Sequence, residues 1–172
     1  MIEALSNRLA LKMKQVNPEQ TTSVEVMSFA LQGLLQNTLA IITAFIVGVF
    51  LGKPWETVIA VISFMGLRFV SGGHHFNSAL LCFLSSAGIF IVIPLLNFDD
   101  MTLMVLNCIS LIIVCIFAPS DIREHIRLPE KYFLLFKLAS VLLVAINFMF
   151  LSSIVTIAFT IQAVTLVPFT RR

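Results

Sequence analysis

The chain has 172 residues, of which 59% are hydrophobic and only 12% charged, with a formal net charge of +2. A soluble domain of this size carries about a quarter charged residues, so the composition excludes an ordinary water-soluble enzyme, and so small a net charge gives no sign of a nucleic-acid partner. Asp, Glu, Lys and Arg are absent from 26–52, 69–98, 101–120 and 138–170. A bilayer core takes roughly 20 apolar residues per helical span. The expected fold class is therefore all-α: a polytopic membrane protein, one integral domain over 1–172 with about six transmembrane helices and the lipid bilayer as its solvent.

The chain opens with MIEALSNRLALKMKQVNPEQ, in which no apolar core is followed by a small-residue cleavage site, so no secretory signal peptide is expected. Ile2, Leu5, Leu9, Met13 and Val16 recur at helical spacing, flanked by Arg8 and Lys12. Asn17-Pro18 ends the pattern. Residues 1–20 are expected to form an amphipathic helix on the membrane surface, apolar face down, with a solvated tail as the alternative. The first span, 26–51, ends at Gly52-Lys53-Pro54. The second, 55–70, is short and carries Arg68 near its end. The third covers 77–97, with Asp99 and Asp100 just beyond, and the fourth covers 101–117, broken by Ala118-Pro119-Ser120-Asp121. After the polar loop SDIREHIRLPEK comes the run 138–170. As one straight helix it would be about 50 Å long against a core of about 30 Å. A hairpin around 147–153 is expected instead, giving spans at 132–148 and 153–169; one long tilted helix is the alternative.

With six spans, every Lys and Arg except Lys53 falls on one side. That asymmetry marks the cytoplasmic side, so both termini and the turn at 71–76 are expected there. Cys82, Cys108 and Cys115 are odd in number and lie in apolar segments, which does not suggest a disulfide framework. Cys108 and Cys115 are expected as small packing residues.

One stretch breaks the apolar monotony: RFVSGGHHFNSALLC, Arg68 to Cys82. Polar groups at this depth are costly and are functional candidates by default. Gly72 and Gly73 permit a tight turn, and Asn77 is a suitable N-cap for the third span. A thiolate is the reactive form of cysteine, and a histidine beside it can generate that form. On one continuous helix, His75 and Cys82 would lie about 10.5 Å apart along the axis, too far to interact. A catalytic pair therefore requires 71–76 to leave the helix and fold back. A third group orienting the histidine could be Asn77, Ser78, Ser71 or Asp121.

The stretch GGHHFNSALLC resembles the Gly-x-His-x-x-Ser-x-x-x-Cys region of the accessory gene regulator B (AgrB) family, with Gly73, His75, Ser78 and Cys82 matching and Arg68 upstream. FAPSD at 117–121 resembles the Ala-Pro segment after that family's fourth span. Length and hydropathy agree over essentially the whole chain. His74 stands where the family more often has a small residue, leaving two candidate histidines; the spacing to Cys82 favours His75. The resemblance implies a membrane cysteine endopeptidase of Gram-positive quorum sensing, in a bacterial cell membrane with its active site on the cytoplasmic side. It implies Cys82 and His75 as catalytic residues, no cofactor and no metal. It also implies an AgrD-like propeptide as substrate, whose acidic C-terminal tail is removed before ring closure to a thiolactone or lactone. Arg68, with Arg123 and Arg127 in the polar loop, would receive that tail, because guanidinium groups bind carboxylates bidentately. A homodimer is plausible on size alone. Two rival classes keep the same residues. His74, His75 and Cys82 could hold a soft metal in a small transporter, or the protein could be a non-catalytic membrane partner. A zinc peptidase is discounted because HExxH is absent.

Overall fold

A computed structural model describes residues 2–19, 21–73, 78–120 and 131–168. The elements among them are helical: α1 (Ile2–Val16), α2 (Val24–Phe50), α3 (Pro54–Ser71), α4 (Ala79–Val92) with a 3-10 turn (Ile93–Leu95), α5 (Asp100–Phe117), α6 (Lys131–Phe150) and α7 (Ser153–Val164). An apolar solvent leaves the backbone no partner but itself, so uniformly apolar runs become helices. Polar residues set the ends. Ser23 caps α2, its hydroxyl accepting from the Val26 N–H. Pro54 starts α3. Asp99 caps α5, accepting from the Thr102 hydroxyl at 2.7 Å and the Thr102 N–H at 3.1 Å. The Thr102 hydroxyl, then its N–H, hold the Asp99 carboxyl below its ordinary value, so this cap is present at neutral pH and lost as pH falls through that lowered value.

At one end of the bundle, the Lys53 ammonium donates to the Pro94 carbonyl at 2.8 Å. At the other, the Ser120 N–H donates to the Ser71 carbonyl at 2.9 Å. α6 ends at Phe150 and α7 begins at Ser153; Leu151 between them adopts a φ of 42°, which no helix continues through, so 138–170 does not form one continuous helix.

The described helices vary widely in length, from 27 residues in α2 to 12 in α7. Among the described residues, three helices are long and apolar enough to cross a membrane: 24–50, 100–117 and 133–150. α3 has the length but carries Glu56 and Arg68 near its ends. α4 starts at Ala79, not at 77, and passes into a 3-10 turn at Pro94. α7 stops at Val164 rather than 169. Its last turn tightens through i to i−3 bonds (Leu166 N–H to Ala163, Val167 N–H to Val164) ahead of Pro168. At 12 residues, α7 is about 18 Å long, well short of a bilayer core. It need not reach, because protein rather than lipid surrounds it: Thr156, Ile157, Ala158, Phe159, Gln162 and Ala163 are all buried.

Two apolar clusters form the core, and α3 and α7 contribute to both. One joins Ala44, Ala60, Phe64, Phe90, Ile93, Ile157 and Ala158, with the Phe64 and Phe90 rings edge to face at 5.5 Å. The other joins Leu67, Val114, Ala118, Val144, Phe159, Ala163 and Leu166. The outward faces are equally apolar: Phe50 is 86% exposed, Met149 83% and Phe69 81%. Such a surface is stable only against lipid or protein. Cys108 and Cys115, expected as small packing residues, lie on this outward surface. Ser6 and Ala10 of α1 are buried, whereas Leu5, Leu9, Met13 and Val16 are not. Since α1 packs on α2, it does so through small residues and turns its apolar stripe away from the bundle.

A buried polar cluster ties α5, α6 and α7. The Asn147 amide donates to Asn107 Oδ1 at 3.1 Å and to Thr156 Oγ1 at 2.7 Å, and the hydroxyls of Ser110 and Thr160 meet at 2.9 Å. Interhelical hydrogen bonds in lipid contribute from about 0.6 to about 1.7 kcal/mol. Asn147→Leu is therefore expected to lower the unfolding free energy by about 1–2 kcal/mol, measured by steric trapping in bicelles. No change would show that the cluster is bland packing.

Candidate active site at the glycine turn

The stretch singled out in the sequence lies where three helices end. α3 runs to Ser71, where the Gly72 N–H makes the last helical bond, to the Arg68 carbonyl at 2.9 Å. Gly72 has a φ of 73° and Gly73 a φ of 134°. Both lie in backbone regions that a β-carbon disfavours, so the helix breaks there and not further on. The continuous helix that would have separated His75 from Cys82 does not form. Ser120, just past α5, bridges to Gly72 and holds the turn against the end of that helix.

The end of α7 closes the other side. Gln162, fully buried, donates from its amide nitrogen to the Gly72 carbonyl at 2.7 Å and the Ser71 hydroxyl at 3.2 Å. Its amide oxygen accepts from Arg68 Nη1 at 3.3 Å and from the Thr165 hydroxyl at 3.2 Å. Gly73 sits in the cradle this makes. A β-carbon there would come within 2.8 Å of Thr165 Oγ1, 3.1 Å of Gln162 Nε2 and 3.4 Å of Arg68 Nη1. The C-termini of α3, α5 and α7 thus converge. Their carbonyl ends carry partial negative charge, which favours a cation, and Arg68 is half-buried among them.

Cys82 is half-buried on α4. The N-cap is Ser78, extended at φ −95° and ψ 124°, one residue later than the Asn77 expected from the sequence. Cys82 is consequently the fourth residue of the helix; its N–H donates to the Ser78 carbonyl at 3.0 Å, and its own carbonyl accepts from the Ser85 hydroxyl at 3.0 Å. The thiol sits closer to the positive end of α4 than a cap at Asn77 would put it. His75, His74, Asn77, Asp121, Arg123 and Arg127 lie outside the described residues. The structure brings Arg68, Gly72 and Gly73 together and adds three groups that the sequence reading missed: Ser120, Gln162 and Thr165. The available signal was Gln162 itself, an amide in the middle of a run without charges.

The model of the family described as Accessory gene regulator B matches residues 2–167. The chain belongs to the AgrB family. Among individual AgrB relatives, it is 33% identical over 86 residues to a putative AgrB-like protein of Halalkalibacterium halodurans, covering 50% of this chain and 44% of that one. It is 32% identical over 99 residues to accessory gene regulator protein B of one Staphylococcus aureus strain, covering 55% and 53% respectively. With the protein of the same name in another S. aureus strain the match is 28% over 148 residues, covering 80% and 79%. The chain thus spans about half the length of the first two AgrB relatives and most of the third. No solved structure matches it. The family match takes in the glycine turn, Cys82 and the whole of α7 together.

Proposed function

We propose that this protein is a membrane-embedded cysteine endopeptidase. It removes the acidic C-terminal tail of an AgrD-like propeptide and promotes closure of the remaining peptide into a thiolactone or lactone. The observation that carries this reading is a half-exposed thiol on the first turn of α4, nine residues after Gly73 of a glycine turn clasped from three sides, in a chain of the AgrB family. A cysteine kept only for packing gains nothing from such a turn.

The chemistry follows from the groups. The Cys82 sulfur attacks the carbonyl that precedes the tail, forming a carbon–sulfur bond as the peptide carbon–nitrogen bond breaks. His75 takes the thiol proton and gives it to the departing amine. The propeptide's own Cys or Ser then attacks the acyl-thioester, closes the ring and returns Cys82 to its thiol. Water competes at this step, and a site set into the bilayer limits its access. Arg68 supplies the cation for the tail carboxylates, on what would be the cytoplasmic side. The stripe of α1, facing away from the bundle, would rest on the membrane surface.

The test uses the protein in anionic vesicles with the propeptide encoded beside it, followed by intact mass spectrometry. With the ring-closing residue of the propeptide replaced by alanine, tail release is expected together with an acyl adduct on Cys82. Tail release with no adduct at any time point would exclude the covalent route. In the same assay Arg68→Gln is expected to raise KM by about 10- to 100-fold, the loss of a charged hydrogen-bond donor, whereas Arg171→Gln leaves it unchanged. Equal effects would mean that Arg68 serves topology alone.

A further inference from the structure

The geometry points to Gln162 as a positioning residue for the catalytic turn, an inference that rests on the endopeptidase reading above. Gln162 has no exposed surface, and a buried amide is costly in an apolar helix unless it is paired. Every hydrogen bond of its side chain runs to the glycine-turn end of the bundle. The nitrogen holds Gly72 and Ser71, and the oxygen holds Arg68 and Thr165. Gly72 and Ser71 lie 90 and 91 positions away in the chain.

The packing of α7 does not need this amide. Ile157, Ala158, Phe159 and Ala163 already bury the helix in both apolar clusters. What the amide adds is a fixed origin for the segment that follows. The Gly72 carbonyl points at Gln162 Nε2 from 2.7 Å, and His75 is three residues further on. Through the same oxygen, Gln162 orients the Arg68 guanidinium. A histidine that must meet a thiol is sensitive to where its loop begins, since a displacement of about 1 Å can cost about a hundredfold in rate. No other side chain reproduces the pattern: glutamate keeps the acceptors and loses both donors, and methionine keeps the volume and loses everything polar.

The experiment is a single turnover of propeptide by vesicle-embedded protein. Its rate constant reports the geometry of the reacting groups, and its amplitude counts active molecules. Gln162→Met is expected to lower the rate constant at saturating propeptide by about 30- to 100-fold with amplitude little changed, and to raise KM as well because Arg68 loses the oxygen that orients it. Gln162→Glu, whose acceptors remain, is expected to lose as much, because the donor to Gly72 is gone. A lower amplitude with an unaltered rate constant in both variants would make Gln162 merely structural and overturn the inference. So would a wild-type rate constant in Gln162→Glu, which decides the matter if Gln162→Met does not fold. Cys82→Ala and His75→Ala run beside them. If Cys82→Ala still turns over, the endopeptidase reading fails and takes this inference with it. If both lose turnover while the Gln162 variants keep the wild-type rate constant, only the role of Gln162 is refuted.

Discussion

Cys82→Ala is expected to remove propeptide cleavage altogether, a loss of at least about a thousandfold, and His75→Ala to remove about 100- to 10,000-fold. The first figure follows from deleting the nucleophile: no covalent step remains, and binding and charge stabilisation alone are left. The second follows from what a positioned general base contributes. The two variants are also expected to be non-additive, since a base without its nucleophile has nothing to activate. His74→Ala is the control. Its neighbour His75 is seven residues from Cys82, the spacing that favours His75 as the base. Mass spectrometry of the propeptide after co-expression reads all three. Cleavage that survives Cys82→Ala would make this chain an accessory and place the peptidase elsewhere. Cleavage that survives His75→Ala but not His74→Ala would move the base by one residue and leave the rest of the mechanism standing.

The second large effect is expected from one methyl group. Gly73→Ala puts a β-carbon on a residue at φ 134° and within 2.8 Å of Thr165 Oγ1. The backbone strain alone is about 1–3 kcal/mol, and the clash on Thr165, with Gln162 Nε2 tight at 3.1 Å, displaces the clasp. A loss of about a hundredfold or more in cleavage follows. Gly33→Ala is the matched control, because a β-carbon on Gly33 meets nothing within 4 Å and alanine is the better helix former. Adding Thr165→Ala to Gly73→Ala is expected to recover part of the loss, the steric part, and none of the φ strain. If Gly73→Ala cleaves at the wild-type rate, the turn has no bearing on the chemistry.

Much of this was legible before any coordinates. The expected spans lie within two residues of α2, α5 and α6, because a helix in an apolar solvent is specified by local composition and by the polar residues at its ends. The Gly-Gly break before Cys82 was legible for a similar reason: the conformational freedom of glycine is a property of one residue. The ends of α4 and α7 were not. Composition runs on smoothly through 165–170 and 77–78, while the helices stop where packing and capping stop them, at Val164 and Ser78. Cys108 and Cys115 lie on the outer face of α5 because its inner face is the one carrying Asn107 and Ser110, and in an apolar solvent the polar side of a helix turns inward, the reverse of the rule for a water-soluble helix.

By itself the sequence determined that this chain is helical, that it belongs in an apolar solvent and that its unusual chemistry gathers between Arg68 and Cys82. Those properties are carried by runs and by neighbours, within reach of one turn of helix. Only the tertiary structure decided which distant groups complete the site. Gln162 and Thr165 reach Gly72, Gly73 and Arg68 across some 90 positions of chain, through the packing of a helix too short to cross the bilayer alone. Such a contact depends on how α3, α5 and α7 end together, and no local pattern encodes where three helices meet.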